Sequence, residues 1–312
     1  MIPSISCVIP TRGRPQLVRR AVDSALGQTL PPAEVIVVVD GPDPATMAVL
    51  ARIDDPRLVV IESPVSQGPA MARNRGVEAA SGEWIALLDD DDYWLPDKLA
   101  RQAETARRSR QSHPIVSCRV IARTGRGDFV WPKDLPGNEP LGNYLIERRT
   151  PLGRPGYVAT PTLFVRRDML LAVPFPALDD HEDWGWLLEA AAAFQARVEM
   201  VDAPLCVVTV AEHSASRSKR NSWEASLDWA ERYRLMLTPR AYSAFLATKV
   251  AGKARRQGAW RVAGELLRRM RRHGRPTALH LLLFLATWVL PPRGHLLFQI
   301  VSFGDSKERI SP

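Results

Sequence analysis

Leu87-Leu88-Asp89-Asp90-Asp91-Asp92-Tyr93-Trp94-Leu95-Pro96 is the stretch on which the fold of this chain turns. It continues Glu83-Trp84-Ile85-Ala86, so a short apolar run ends abruptly in four adjacent carboxylates. An apolar run this short, bounded by polar residues, predicts a buried strand of an α/β sheet. The Asp cluster then lies at the strand's carboxyl end, where open α/β sheets hold their ligands. On an extended backbone Asp89 and Asp91 point to one face, Asp90 and Asp92 to the other. Two hard oxygen donors on one face suit Mg²⁺ or Mn²⁺, which can in turn hold a diphosphate. A solvated acidic loop capping the next helix, with Asp97 in its first turn, is the competing reading. The flanking sequence has to decide between them.

Upstream, strands over 5–9, 34–39 and 57–61 alternate with helices over 12–27, 43–53 and 67–80. This spacing predicts βαβ units and a mostly parallel sheet. Neither a Gly-x-Gly-x-x-Gly after the first strand nor a Walker-type loop with Lys is present, so a nucleotide here would be held by charge and metal. Asp40 ends the second strand before Gly41 and would face the same crevice as Asp89–Asp92. Its carboxylate can accept hydrogen bonds from a base or ribose, and Asp is equally a turn-former before Gly.

With 312 residues, 46% apolar and 24% charged, the chain has room for one large domain plus an appendage, or for two domains. Cys7, Cys118 and Cys206 are odd in number and far apart, which excludes a disulfide framework and a metal knuckle. With no charged or long apolar leader ahead of Ile5, the expected location is the cytoplasm. The net charge of +8 is unevenly placed: residues from His213 onward carry 19 Lys/Arg against 6 Asp/Glu. That asymmetry predicts an anionic partner for the tail.

Taken in order, the motifs from Ser6 to about Arg217 resemble glycosyltransferase family 2. The carrying residues are Val8-Ile9-Pro10-Thr11, Ser24-Ala25-Leu26-Gly27-Gln28-Thr29, Val37-Val38-Val39-Asp40-Gly41, the run Gly68 to Gly76, Gly82 to Asp92, and Trp94-Leu95-Pro96-Asp97-Lys98-Leu99. The resemblance implies a GT-A fold, a Rossmann-like and mostly parallel α/β sheet, acting on nucleotide-sugars. It implies base or ribose contacts for Asp40 with Pro10, Thr11 and Arg12, and a phosphate-side role for Arg73 and Asn74. It also implies an Asp-x-Asp pair in Asp89 and Asp91, one towards ribose or metal and the other on the divalent ion, with Asp90 as an alternative ribose contact.

A second centre is Asp179-Asp180-His181-Glu182-Asp183-Trp184. In the family an Asp at this motif is the general base on the acceptor hydroxyl, and Asp183 matches it. Glu182 and Asp183 also suit a plain helix start, stabilised by its dipole. His213, in Glu212-His213-Ser214-Ala215-Ser216, resembles a family His that completes the metal shell or contacts the diphosphate. Residues 124–157 predict a long loop region.

Residues 222–275 predict a helical stretch dense in Arg, followed by a twelve-residue apolar segment from Leu279 to Leu290 and another at 296–303. These pieces are too short to span a bilayer. Segment 255–303 therefore suits either docking on an anionic membrane face or a helical cap on the catalytic domain. The expected organisation is a GT-A catalytic domain over 1–217, with a nucleotide-sugar half to about 110 and an acceptor half over 111–217, and a helical basic extension over 218–312. The expected activity is metal-dependent, inverting transfer from a UDP-sugar to a glycan or lipid-linked saccharide. A nucleotidyltransferase would need a triphosphate cradle, for which only Arg12-Gly13-Arg14 is a candidate. Nucleic-acid binding through the tail lacks interleaved aromatics and is not favoured.

Overall fold

The computed structural model describes residues 4–125, 127–151, 153–178, 180–210 and 222–290. Its centre is β1 (Ile5–Thr11), whose seven residues are all buried. Parallel strands flank it, β2 (Glu34–Val39) on one side and β4 (Trp84–Leu87) on the other, and β3 (Leu58–Glu62) adds to β2. β2 reads Glu-Val-Ile-Val-Val-Val because helices cover both faces of a central parallel strand. The order β3-β2-β1-β4 continues through β8 (Phe164–Arg166), β6 (Ile115–Thr124), β9 (Val198–Val210) and β5 (Tyr93–Trp94), with β7 (Gly127–Trp131) paired to β6. Among the described residues, β5, β7 and β8 run against the other six strands.

Helices α1 (Pro15–Leu26), α2 (Pro44–Leu50) and α3 (Pro69–Ala79) connect the parallel strands, each with proline at its start, where the missing N–H is harmless. α1 buries Val18, Ala21, Val22 and Ala25. α3 lies close on the sheet because Gly76 has no side chain; a Cβ there would meet Val8 Cγ1 at 2.4 Å. α4 (Lys98–Arg108), α6 (Arg167–Ala172) and α7 (Glu182–Phe194) complete this part.

The chain divides into two compact units. The first comprises Met1–Trp131, Val158–Leu178 and Glu182–His213 and holds the sheet. The second comprises Pro132–Tyr157, Asp179–His181 and Ser214–Pro312. In the second unit, α5 (Leu141–Ile146), α8 (Trp223–Arg232), α9 (Pro239–Phe245), α10 (Ala251–Arg256), α11 (Ala263–His273) and α12 (Ala278–Val289) are the α-helices among the described residues. α9 passes into α10 through a π-helical turn at Leu246–Val250.

Three local expectations need correction. The 124–157 region is not all loop, since it carries the end of a β6–β7 hairpin and α5. The 222–275 stretch is not continuous: it breaks before Pro239, where the preceding residue is driven out of helical geometry, and again at Gly258, which sits at φ +73°. Nor do the four aspartates alternate across a strand. β4 stops at Leu87, and the Asp92 N–H donates back to the Asp89 carbonyl at 3.2 Å, folding the run into a turn. His213 and the 296–303 segment lie outside the described residues.

Candidate active site

The acidic turn stands at the carboxyl ends of β1 and β4, the point where the strand order reverses and an α/β sheet opens a crevice. Each carboxylate of the turn finds a partner. Asp90 is buried and accepts from Thr11 Oγ1 at 2.8 Å and from an Arg14 guanidinium nitrogen at 2.8 Å. The same Arg14 nitrogen reaches Asp91 at 3.1 Å, and Arg20 donates to the Asp91 carbonyl at 2.6 Å. Asp92, also buried, accepts from the backbone N–H of Thr209 on β9 at 3.0 Å. Asp89 accepts from Arg73 at 2.7 Å.

Crowding raises the proton affinity of this turn. Burial pushes Asp90 above the usual carboxylate range despite Arg14 and Thr11. Burial and the neighbouring Asp89 raise Asp91 against the pull of Arg14. Asp92 is raised well above its usual value by burial, then by Asp89 and Asp91. Such a cluster is short of positive charge. Asp89 and Asp91 keep side-chain exposures of 27% and 33%, so their oxygens remain open to a cation. No group of three or more His, Cys, Asp or Glu side chains is arranged to hold a metal among the described residues. Asp89 and Asp91 are hard oxygen donors that could contribute one or two ligands to an Mg²⁺- or Mn²⁺-type ion completed by groups from outside the chain.

Arg73, projecting from α3, draws the second motif into this site. Its side chain is only 5% exposed; one nitrogen bonds Asp89 and another lies 3.4 Å from Glu182 at the start of α7. Burial would lower the guanidinium, but Asp89, Glu182 and Asp183 around it outweigh that and raise it. Asp183 keeps part of its surface towards solvent, yet protein packs closely around its carboxyl. Burial, then the charge of Glu182, pushes its pKa up to about 7, against the hydrogen bond from the Trp184 N–H and the charge of Arg73.

The remaining expected residues sit as follows. Asp40 is buried, and its carboxylate accepts from Ser66 Oγ at 2.7 Å, the Gln67 N–H at 2.8 Å and the Gly68 N–H at 2.9 Å. It thus anchors the loop that starts α3, and Gly41 beside it takes φ +99° where a Cβ would press on Ser66. Exposed Arg12 bonds Ser66 Oγ, on the rim of the same loop. Asn74 spends its amide on the backbone of Phe175, donating to its carbonyl at 2.9 Å and accepting from its N–H at 2.8 Å. It is a clamp on α3 and does not join the acidic turn. Pro10 is buried within β1, opposite Val38.

Sequence reasoning missed Arg14 and Arg20 on the turn, Asp92 as an anchor to β9, and the Arg73–Glu182 pair. The Arg12-Gly13-Arg14-Pro15 run was the available signal for the first: Pro15 sets the helix start, so Arg14 is its N-cap residue. For the others, partners 71 to 117 positions apart in sequence meet only through the sheet.

A Rossmann-like sheet with an acidic turn at its switch point and antiparallel strands added beyond it is the GT-A class of fold. Residues 6–171, more than half the chain, match the family model described as "Glycosyl transferase family 2". The chain belongs to that family and is a glycosyltransferase. The succinoglycan biosynthesis protein ExoO of Rhizobium meliloti is 38% identical over 125 residues, 40% of this chain and 36% of ExoO. The Escherichia coli protein WfaP, named UDP-Glc:alpha-D-GlcNAc-diphosphoundecaprenol beta-1,3-glucosyltransferase, is 34% identical over 98 residues, 31% of this chain and 39% of WfaP. The matches thus span little more than a third of either relative. Among solved structures, the mannosyltransferase PcManGT of Pyrobaculum calidifontis, in complex with GDP-Man and Mn²⁺, aligns at TM-score 0.57 and 18% identity, covering 97% of this chain and 85% of PcManGT. That likeness is one of fold.

Proposed function

We propose that this enzyme is a metal-dependent, inverting transferase that moves a sugar from a UDP-sugar to a lipid-linked saccharide or growing glycan. The observation that carries the reading is buried Arg73, which joins Asp89 of the acidic turn to Glu182, next to Asp183. Donor motif and base motif, about ninety residues apart in sequence, thereby form one cluster.

In this reading Thr11, Arg12, Asp40 and the 66–68 loop form the nucleoside side of the crevice, and Asp89 and Asp91 face the diphosphate. Asp89 and Asp91 would hold a divalent cation, which when bound would supply charge neutralisation for the leaving group. Asp183 takes the proton of the acceptor hydroxyl as that oxygen forms its bond to the anomeric carbon. The sugar–phosphate bond breaks on the opposite face, and the nucleoside diphosphate leaves with its electron pair. One displacement inverts the anomeric centre. A pKa near 7 suits a base that must be unprotonated yet strong enough to accept a proton at neutral pH. His213 remains a proposed ligand from the sequence. WfaP, by its name, uses UDP-glucose and a diphosphoundecaprenol-linked acceptor, which supports the same classes here. The enzyme would then work in the cytoplasm, at the membrane where such acceptors lie. The catalytic domain would extend over 1–217 and the extension over 218–312.

Calorimetric titration of UDP, GDP and dTDP, each with Mn²⁺ or with EDTA, tests the reading on wild type and Asp91→Ala. UDP binding that needs Mn²⁺ and disappears in the variant is expected. Folded protein that binds none of the three removes it.

A further inference from the structure

α12, Ala278-Leu-His-Leu-Leu-Leu-Phe-Leu-Ala-Thr-Trp-Val289, contains no charged residue. One face, with His280, Leu283, Phe284, Thr287 and Trp288, is buried. The opposite face shows Leu282, Leu285 and Val289, which are 52%, 59% and 76% exposed and fall within about one-sixth of the helix circumference at 100° per residue. A surface helix ordinarily places charges on its outer face; one that is apolar all round needs an apolar neighbour. At twelve residues α12 is about 18 Å long, too short to cross a bilayer of about 30 Å. No helix among the described residues is long and apolar enough to cross a membrane.

The charge around this stripe says what the neighbour is. Residues 251–290 carry nine Lys/Arg and one acidic residue, Glu265. Glu265 is taken by Arg269, whereas Arg268, Arg271, Arg272 and Arg275 make no ion pair among the described residues. Trp260 is 51% exposed, lies 5.7 Å from Trp288 on α12, and carries the Arg255 guanidinium 4.0 Å above its ring. An exposed Leu/Val stripe, an indole at its edge and a surplus of unpaired guanidinium groups match the acyl, interfacial and headgroup layers of an anionic bilayer. A second copy of the chain would bring the same positive charge against itself.

We propose that α12 lies in the surface of an anionic membrane, with Leu282, Leu285 and Val289 inserted among the acyl chains and the arginines of α10, α11 and the segments flanking α11 on the headgroups. This docking stands on its own residues and does not depend on the reading of the active site.

The test is co-sedimentation of the full-length enzyme with vesicles of phosphatidylglycerol and phosphatidylcholine, against phosphatidylcholine alone. Binding to the anionic vesicles only is expected. It should fall at least about tenfold on raising salt from 50 to 500 mM or in Arg268→Glu/Arg271→Glu/Arg272→Glu, since each basic residue near the surface adds roughly fivefold. Leu285→Asp/Val289→Asp should abolish it. Both sites are exposed, so this variant should keep the wild-type melting temperature and nucleotide binding. Several results would overturn the proposal: wild type left in the supernatant, binding indifferent to the α12 variant, DNA retardation without vesicle binding, or a dimer in sedimentation velocity that the α12 variant dissolves. The last would assign the stripe to a second copy.

Discussion

At the residue scale the decisive group is Asp183. Its carboxyl holds a proton up to about pH 7 because burial and Glu182 disfavour the charged form. In its proposed role as general base it must be unprotonated, so kcat/KM should fall about tenfold per pH unit below 7 and level off above it. Glu182→Gln removes one of the charges raising that pKa, and the acid limb of the profile should move to lower pH. Asp183→Asn should lower kcat by about 10²–10⁴ while leaving UDP affinity near wild type. A variant that loses affinity and turnover together, or a profile without an acid limb near 7, would remove Asp183 from this role. The residue was a candidate from the Glu182-Asp183-Trp184 motif. Its environment was not: Arg73, 110 positions earlier, is aimed at the pair only by the packing of α3 on β1 and β2.

At the element scale, what the sequence made plain was set by local chemistry. β1, β2 and β4 are apolar runs with sharp ends, and α1 to α3 begin at prolines, so their limits fall within a few residues of expectation. β5, only two residues long, and the hairpin strand β7 carry no such pattern and exist because β9 and β6 offer them hydrogen-bonding edges. The turn at Asp89–Asp92 belongs to the same kind: β4 ends where Leu163 and Val8 stop accepting its backbone, and no periodicity marks that point. The contact of α3 with the sheet gives a sharp prediction. At Gly76 a Cβ would meet the Val8 and Val38 methyls at 2.4 and 3.2 Å, so Gly76→Ala forces α3 away from β1. Overpacking of this kind costs about 1–3 kcal/mol. Urea unfolding should show that loss, and nucleotide binding at the proposed site should weaken, since Arg73, the partner of Asp89, rides on the same helix. Unchanged stability would mean that α3 can shift freely, contrary to the packing described.

At the scale of the whole molecule the acidic turn sets stability against function. Asp91 has a folded-state proton affinity above its ordinary value, through burial and Asp89. A carboxyl raised in this way favours the folded state while protonated. That contribution is present below the unfolded pKa and is lost as pH rises through the higher folded value. At neutral pH the turn is therefore a net strain on the metal-free protein, offset only in part by Arg14, and a divalent cation bound there should relieve it. Asp91→Asn removes the strain and the proposed ligand together. In EDTA at pH 7.5 the variant should melt above wild type, and the gap should shrink as pH falls through the raised folded value and be gone below about 4, the ordinary value of the unfolded chain. With Mn²⁺ and UDP at a hundred times Kd, wild type should gain about 2.7 kcal/mol of apparent stability and the variant almost none, so the order of melting temperatures inverts. A variant less stable than wild type in EDTA would show that Arg14 and Arg20 already neutralise the turn. The four aspartates would then be part of the scaffold, and the place for a cation would have to be sought elsewhere.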